Sequence, residues 1–444
     1  MVVQQRSAAA TLEQKLLERT ARVGIMGLGY AGLPMAVEIA RAGFTVTGFD
    51  VSTDRVQTVN DGRSPVSDVD WRVIRDLVSD ELLSATTDFA ALAQMDAVII
   101  CVPTPLDDQK QPDLRYVRAA TQSIAQHLHQ GMMVVLQSTC SPGTTRDVLL
   151  PVLEQSGLAS GLTVGKDYFL VFAPERIDPG NTRFNVQNTP KLVGGMTPTC
   201  TDLARHLYQA FIDDVHPVSS PEVAEMSKLV ENTFRFINIS FVNEIAMLCD
   251  KMGVSVWDVI DAAATKPFAF MPHFPGPGVG GHCIPIVPFY LEAVADRFGL
   301  PTELIKASGR INDYMPSFVI EKMDRLLQAR GLDPKTASVL LIGITYKRDV
   351  ADLRESSALE VMNRLLAQGR TVTYHDPMIE SVQAGGGQVA SVPLSAENLR
   401  NADCVVLLTP HTNIDFNLVI RHAPVIFDTC NALKKHRGAK IVAL

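Results

Sequence analysis

Residues 21–50, ARVGIMGLGYAGLPMAVEIARAGFTVTGFD, constrain the fold of this chain more than any other stretch. A short apolar run, Arg22–Met26, enters a glycine-rich turn, continues into an amphipathic helix, and returns as a second run, Thr45–Phe49, that ends at Asp50. That order and size describe a βαβ unit. Three spaced glycines alone are a weak signal, but here they sit between a strand and a helix. Gly27 permits the tight turn, Gly29 lets a pyrophosphate approach the backbone, and Gly32 lets helix and strand pack closely. Asp50 follows at roughly the 20-residue spacing at which a carboxylate meets the ribose hydroxyls, which favours NAD over NADP. A βαβ unit that binds no nucleotide is the alternative. Arg55, just beyond, is read either as an adenine, ribose or phosphate contact or as a solvated helix arginine.

Some 300 residues later the order recurs in ASVLLIGITYKRDVADLRESSALEVMNRLLAQGRTVTYHD, and its end, GRTVTYHD, mirrors GFTVTGFD. The parallel extends to MDAVIICVPTP (Met95–Pro105) and ADCVVLLTP (Ala402–Pro410), each an apolar strand leading into a Thr-Pro loop. The predicted fold is therefore α/β, with two Rossmann-like doubly wound domains. Between them, Val223, Met226, Leu229, Val230, Ile237, Phe241, Ile245 and Leu248 recur at helical spacing and predict a central helical region. The expected divisions are residues 1–217, 218–330 and 331–444, with Pro316 and Asp333–Lys335 marking entry to the last. In place of the first copy's glycines, the second carries Tyr346, Lys347, Arg348 and Arg354, which offer cations and a ring to an anion other than the dinucleotide.

Composition excludes several classes. A length of 444 residues exceeds one core, at about 150 residues per domain. Forty basic against 48 acidic side chains argue against a general nucleic-acid or membrane-surface binder. No apolar run nears the roughly 18 residues of a membrane span. The first 22 residues carry charge where a signal peptide would be apolar, so they read as a leader helix on a cytoplasmic chain. Seven cysteines form no CxxC pair, which fits free thiols in a reducing compartment, and ten histidines form no ligand cluster, so no metal is expected.

The chemistry concentrates at a few points. Pro267–Pro288 is dense in proline and glycine, and a loop that irregular amid helices often carries function. It presents Cys283 in GVGGHCIP, where glycines allow a ligand to approach the backbone; a small buried hydrophobe is the alternative. SKLVENTFRFIN sets Lys228, Asn232 and Arg235 within roughly 60° of one helix face, suited to stabilising charge on an oxygen. A solvated stripe is the competing reading. Glu175 and Arg176 follow the strand-like run Tyr168–Phe172, where a carboxylate can position water. Thr104 and Thr139, in loops after apolar strands, are candidates to line a nicotinamide.

Taken in order, GLGYAG, CVPTP, ST with PGTT, APERIDPG, KLVENTFR, PGPGVGGHCIP, GITYKRDVADLRES and ADCVVLLTPH resemble the UDP-glucose/GDP-mannose dehydrogenase family over nearly the whole chain. ATKPFAFMPHFPGPGVGGHCIP looks most like the branch acting on UDP-N-acetylhexosamines, UDP-N-acetylglucosamine above all. The resemblance implies a four-electron, NAD-dependent oxidation of the sugar C6 hydroxyl to the uronic acid, through a thiohemiacetal and a thioester on Cys283. It implies Lys228 and Asn232 near the reacting oxygens and Glu175 at the water. Arg176, Arg235, Gly280 and, ranked below them, Arg310 would touch the nucleotide sugar, with Tyr346, Lys347 and Arg354 on the diphosphate. Tyr30, Ala31, Asp50, Arg55, Thr104 and Thr139 would serve NAD. A homodimer or larger homo-oligomer is implied. One position departs: the family's Asp four residues after the cysteine is Val287 here. UDP-N-acetylmannosamine or UDP-glucose as substrate, or an impaired nucleotide-sugar-binding protein, are the alternatives.

Overall fold

A computed structural model describes every residue except 1–6, 67–68, 108, 110, 156–160, 179, 182, 282–283 and 437. The chain divides into two compact units, Met1–Glu231 with Phe289–Phe298, and Asn232–Pro288 with Gly299–Leu444.

Among the described residues, the first unit holds one eight-stranded sheet. Its strands are β1 (Arg22–Met26), β2 (Thr45–Phe49), β3 (Leu83–Thr86), β4 (Ala97–Ile100), β5 (Met133–Leu136), β6 (Phe169–Phe172), β7 (Lys191–Gly195) and β8 (Val215–Pro217). They lie in the order β3-β2-β1-β4-β5-β6-β7-β8, and only the β6–β7 pair is antiparallel. The first six follow the doubly wound order that puts ligand-binding loops at the carboxyl ends of the strands. The central strands β4, β5 and β6 are apolar and buried at every position because both faces of the sheet are covered there. Val23, Ile25, Ile99, Val135 and Val171 pack on one face with Leu33, Ala36 and Leu207 from helices Gly32–Arg41 and Pro198–Tyr208. Val98, Ile100, Val134, Leu136 and Phe172 pack on the other with Val117 and Ile124 of helix Arg115–Ala125. The leader helix, Ala8–Leu17, is capped by Ser7 and buries Leu12 and Leu16 in the first of these cores.

The second unit repeats the plan with β9 (Val339–Ile342), β10 (Val372–His375), β13 (Cys404–Leu407), β14 (Ile426–Asp428) and β15 (Ile441–Ala443), all parallel in the order β10-β9-β13-β14-β15. A hairpin of β11 (Ser381–Ala384) and β12 (Gly387–Ala390) is inserted between β10 and β13. The helix Pro221–Met252 and the helices Val256–Ala264 and Glu303–Gln328 form the helical region. Val242, Ala246, Trp257, Ile260, Phe318 and Met323 carry its packing into the core of the second sheet.

Pro316 does not mark a boundary. It lies buried inside helix Glu303–Gln328, which runs on to Gln328. The missing N–H costs that helix a single hydrogen bond, and burial of the neighbouring Met315, Phe318 and Val319 holds it continuous.

Candidate functional site

In the first unit, β1, β2, β4, β5 and β6 each end at a loop that carries a predicted site residue. Gly27 has φ +93°, and a Cβ there would lie 2.8 Å from the Cys101 carbonyl oxygen. A Cβ on Gly32 would lie 1.8 Å from the Gly27 carbonyl oxygen, whereas one on Gly29 would meet no atom within 4 Å. The turn is thus closed where the chain must be tight and open where a pyrophosphate would rest, so these residues fit NAD. Its phosphates would lie against the turn and the start of helix Gly32–Arg41, next to Tyr30 and Ala31.

Asp50 is 5% exposed; its Oδ2 accepts from the Leu28 N–H at 2.9 Å and its Oδ1 from the Ser52 N–H at 2.9 Å. Arg55 Nη1 also reaches Oδ2 at 2.9 Å, so Arg55 braces the carboxylate. Burial alone would raise the Asp50 carboxyl, but those N–H donors and the guanidinium outweigh it and hold the group below its ordinary value. Thr104 and Thr139 are both partly exposed. The two loops are tied by Ser138 Oγ donating to the Val102 carbonyl at 2.7 Å, and the buried Tyr290 hydroxyl donates to the Thr104 carbonyl at 2.6 Å.

Glu175 stands at the centre of a buried polar cluster. Its Oε1 accepts the N–H groups of Arg176 (2.8 Å) and Ile177 (2.9 Å), and its Oε2 accepts Gln137 Nε2 at 2.8 Å. Lys191 Nζ lies 3.8 Å from Oε2 and donates to Gln137 Oε1 at 3.1 Å. Arg176 is committed to Glu231 at 2.8 Å and to the Pro190 carbonyl at 2.7 Å.

Helix Pro221–Met252 buries Lys228 and Asn232, at 8% and 6% exposure, while Arg235 is exposed. Lys228 has no hydrogen-bond or ion-pair partner among the described residues, and the buried Asn232 Nδ2 has none either. One turn earlier, fully buried Glu225 accepts the Gly143 N–H at 2.6 Å and the Thr145 N–H at 2.9 Å, anchoring the loop that holds Thr139. Burial pushes its carboxyl up.

In the second unit the glycine-rich loop meets the second nucleotide-type turn. Gly281 N–H donates to the Arg354 carbonyl at 3.0 Å, and a Cβ on Gly280 would lie 2.5 Å from the Glu355 carbonyl oxygen and 2.7 Å from the Tyr346 Cβ. Gly280, Tyr346 and Arg354 are therefore brought together. Lys347 is partly exposed, and Arg348, Arg354 and Arg310 are exposed. Arg354 forms a bidentate pair with Asp352. Asn312 Oδ1 accepts the Val279 N–H at 2.6 Å and Asn243 Oδ1 the Gly276 N–H at 3.0 Å, so two helix asparagines hold the loop. Cys283 and its neighbour His282 lie outside the described residues.

The duplication is visible in atoms. Asp376, the counterpart of Asp50, accepts the Ile344 N–H at 2.7 Å and the Met378 N–H at 2.8 Å, as Asp50 does from Leu28 and Ser52. Here the fully buried His411 closes the group: it lies 3.2 Å from Asp376 through Nε2, and its Nδ1 accepts the Asp349 N–H at 3.0 Å.

Lys191, Gln137, Glu225, Asn243 and Asn312 escaped sequence reasoning. Only Glu225 had a usable signal, a charge on the buried phase of the helix four residues before Leu229.

Three models of one family fit successive parts of the chain. The UDP-glucose/GDP-mannose dehydrogenase family NAD binding domain matches residues 21–212, the central domain 222–314, and the UDP binding domain 340–435. The chain belongs to this family. It is 35% identical to a UDP-N-acetyl-D-glucosamine 6-dehydrogenase of Pseudomonas aeruginosa over 88% of this chain and 90% of that one. It is 36% identical to an NDP-N-acetyl-D-galactosaminuronic acid dehydrogenase of Ralstonia nicotianae over the same shares. The solved UDP-D-ManNAc dehydrogenase of Pyrococcus horikoshii superposes with a TM-score of 0.85 at 30% identity, over 95% of this chain and 98% of that one. As a member of the family the protein is an NAD-dependent nucleotide-sugar 6-dehydrogenase, and UDP-sugars are its substrate class. Both the two Rossmann-like domains and the central helices are as the motifs predicted. No helix of the described residues is long and apolar enough to cross a membrane.

Proposed function

We propose that the protein oxidises the C6 hydroxyl of a UDP-N-acetylhexosamine, UDP-N-acetylglucosamine in preference, to the uronic acid in the cytoplasm. When bound, NAD supplies the hydride acceptor for each of the two oxidations. Cys283 adds its sulfur to the C6 aldehyde, giving a thiohemiacetal whose oxidation leaves a thioester for water to hydrolyse. Lys228 and Asn232 face the oxygen on which negative charge gathers, and Glu175 positions the water. Arg176, Arg235, Gly280 and Arg310 contact the nucleotide sugar, and Tyr346, Lys347 and Arg354 hold its diphosphate.

The observation that carries this reading is the pairing of a buried lysine with a buried, unpartnered Asn232 amide on one helix. A donor left unsatisfied in a protein interior costs about 1–3 kcal/mol, which an oxyanion ligand would recover. The N-acetyl preference rests on the segment from Ala264 to Pro285 and on the likeness to the Pseudomonas enzyme. Assays of UDP-glucose, UDP-N-acetylglucosamine and UDP-N-acetylmannosamine with NAD test it. The expected result is two NADH per sugar and the highest kcat/KM for UDP-N-acetylglucosamine; a higher value for either rival reassigns the substrate.

Val287 favours a second reading, slow or arrested turnover. It is 2% exposed and opens helix Val287–Arg297, so no carboxylate is available at that position. Val287→Asp is expected to raise kcat by about 10-fold or more, a fraction of what a positioned acid–base group contributes. Intact mass spectrometry should show an acyl adduct on the parent protein that the variant lacks.

A homo-oligomer is part of the proposal. Val223, Met226, Val230, Phe234, Phe241 and Leu248 form an exposed apolar stripe at threes, fours and sevens along helix Pro221–Met252. Such a stripe on one helix marks an interaction face. Phe241→Glu is expected to convert the assembly to monomer in light scattering; an unchanged mass would place the interface elsewhere.

A further inference from the structure

We propose that Lys191 is a positioning residue for Glu175, acting through the Gln137 amide to hold the carboxylate in the orientation that thioester hydrolysis requires. The inference deepens the proposed reaction and rests on it.

Topology brings the lysine to the site. β7 is antiparallel to β6, so its first residue, Lys191, lies beyond the carboxyl end of β6, beside the loop that starts at Ala173. Without that reversal the residue would sit at the opposite, amino-terminal end of β6. Lys191 is 3% exposed, and burying an ammonium costs several kcal/mol, so a site needing only bulk would carry Met or Leu. Burial pushes its ammonium down from the ordinary lysine value, with the Glu175 carboxylate acting against that.

The hydrogen-bond logic is directional. An ammonium only donates, so the Gln137 oxygen must face Lys191, 3.1 Å away. The buried Tyr208 hydroxyl donates to the same oxygen at 3.4 Å. The amide nitrogen is left to point at Glu175 Oε2, at 2.8 Å, while backbone N–H groups fix Oε1. Replacing the lysine with an apolar side chain would leave the amide oxygen only the long Tyr208 contact, so the amide, and with it Glu175 Oε2, would lose its fixed position. In hydrolysis the water oxygen bonds to the acyl carbon and the carbon–sulfur bond breaks. One proton passes to the Cys283 sulfur and the other leaves by way of Glu175, with no change in oxidation state. Misorientation of Glu175 would slow this step and leave the hydride transfers largely intact.

The test compares Lys191→Met and Lys191→Arg with the parent enzyme, using UDP-N-acetylglucosamine and NAD. For Lys191→Met the expected steady-state kcat is roughly 30- to 100-fold lower, with both KM values within about threefold. The first-turnover burst of two NADH per site should persist, with an acyl adduct accumulating on Cys283 in intact mass spectra. Lys191→Arg, which retains donors only, should recover about tenfold. A kcat within about threefold of the parent, or a burst lost in step with kcat, would overturn the proposal. If Lys191→Met does not fold, Gln137→Leu is read by the same criteria. Should the parent enzyme form no NADH from any UDP-sugar, the proposed reaction itself fails, a result distinct from a working parent whose Lys191 variants are unaffected.

Discussion

Replacing Cys283 with alanine is expected to end uronate formation, lowering kcat by a factor on the order of 10³ or more, since removing a covalent nucleophile leaves only binding and charge stabilisation. The chemistry explains the size of the effect. An aldehyde gives up a second hydride readily only after a nucleophile has added to it, and water is a poor substitute for a held thiolate. NAD affinity should stay within about twofold, because the turn at Gly27–Gly32 and the Asp50 carboxylate are set by their own backbone hydrogen bonds. NADH counted against uronate, with NAD binding followed by calorimetry, reads both quantities. Undiminished uronate from the alanine variant would sink the covalent mechanism and leave the two-step oxidation without its central residue.

The next largest effect is expected at Lys228. Lys228→Met keeps the length and apolar packing of the side chain and removes only its charge and donors, so a loss of about 10²- to 10³-fold in kcat is the expected scale for one oxyanion-type donor. Because Lys228 is 8% exposed and no described residue pairs with it, deleting the ammonium breaks no salt bridge to a described residue. The melting temperature should therefore hold or rise while activity falls. A structural lysine would behave in the opposite way, losing stability with little change in kcat. Asn232→Leu should show the same separation to a smaller degree, since its amide nitrogen also lacks a partner.

The predicted strands Arg22–Met26 and Thr45–Phe49 have the observed bounds, because local signals fix them: apolar runs closed by glycine on one side and aspartate on the other. Glu175 was legible for the same reason, as the first ionisable residue after a buried strand. Its partners were not. Gln137 and Lys191 lie 38 and 16 residues away along the chain and reach Glu175 only through the order β5-β6-β7 and the reversal of β7. No periodicity announces a strand that runs backwards. Pro316 misled for a complementary reason, since proline's penalty in a helix is small beside the burial of the side chains around it. The asparagines that grip the Gly276–Val279 backbone look in sequence like ordinary polar positions on a helix, and only the loop packed against them shows their use.

The twin carboxylates differ in what covers them. In the amino-terminal half, the partner of Asp50 is a long guanidinium with 41% of its side-chain surface in solvent. In the carboxyl-terminal half, the equivalent partner is an imidazole with no surface in solvent at all, held between the Asp376 carboxylate and the Asp349 N–H. The carboxylate of the second turn is thus already spent on the protein's own buried imidazole, whereas that of the first keeps a partner that reaches solvent.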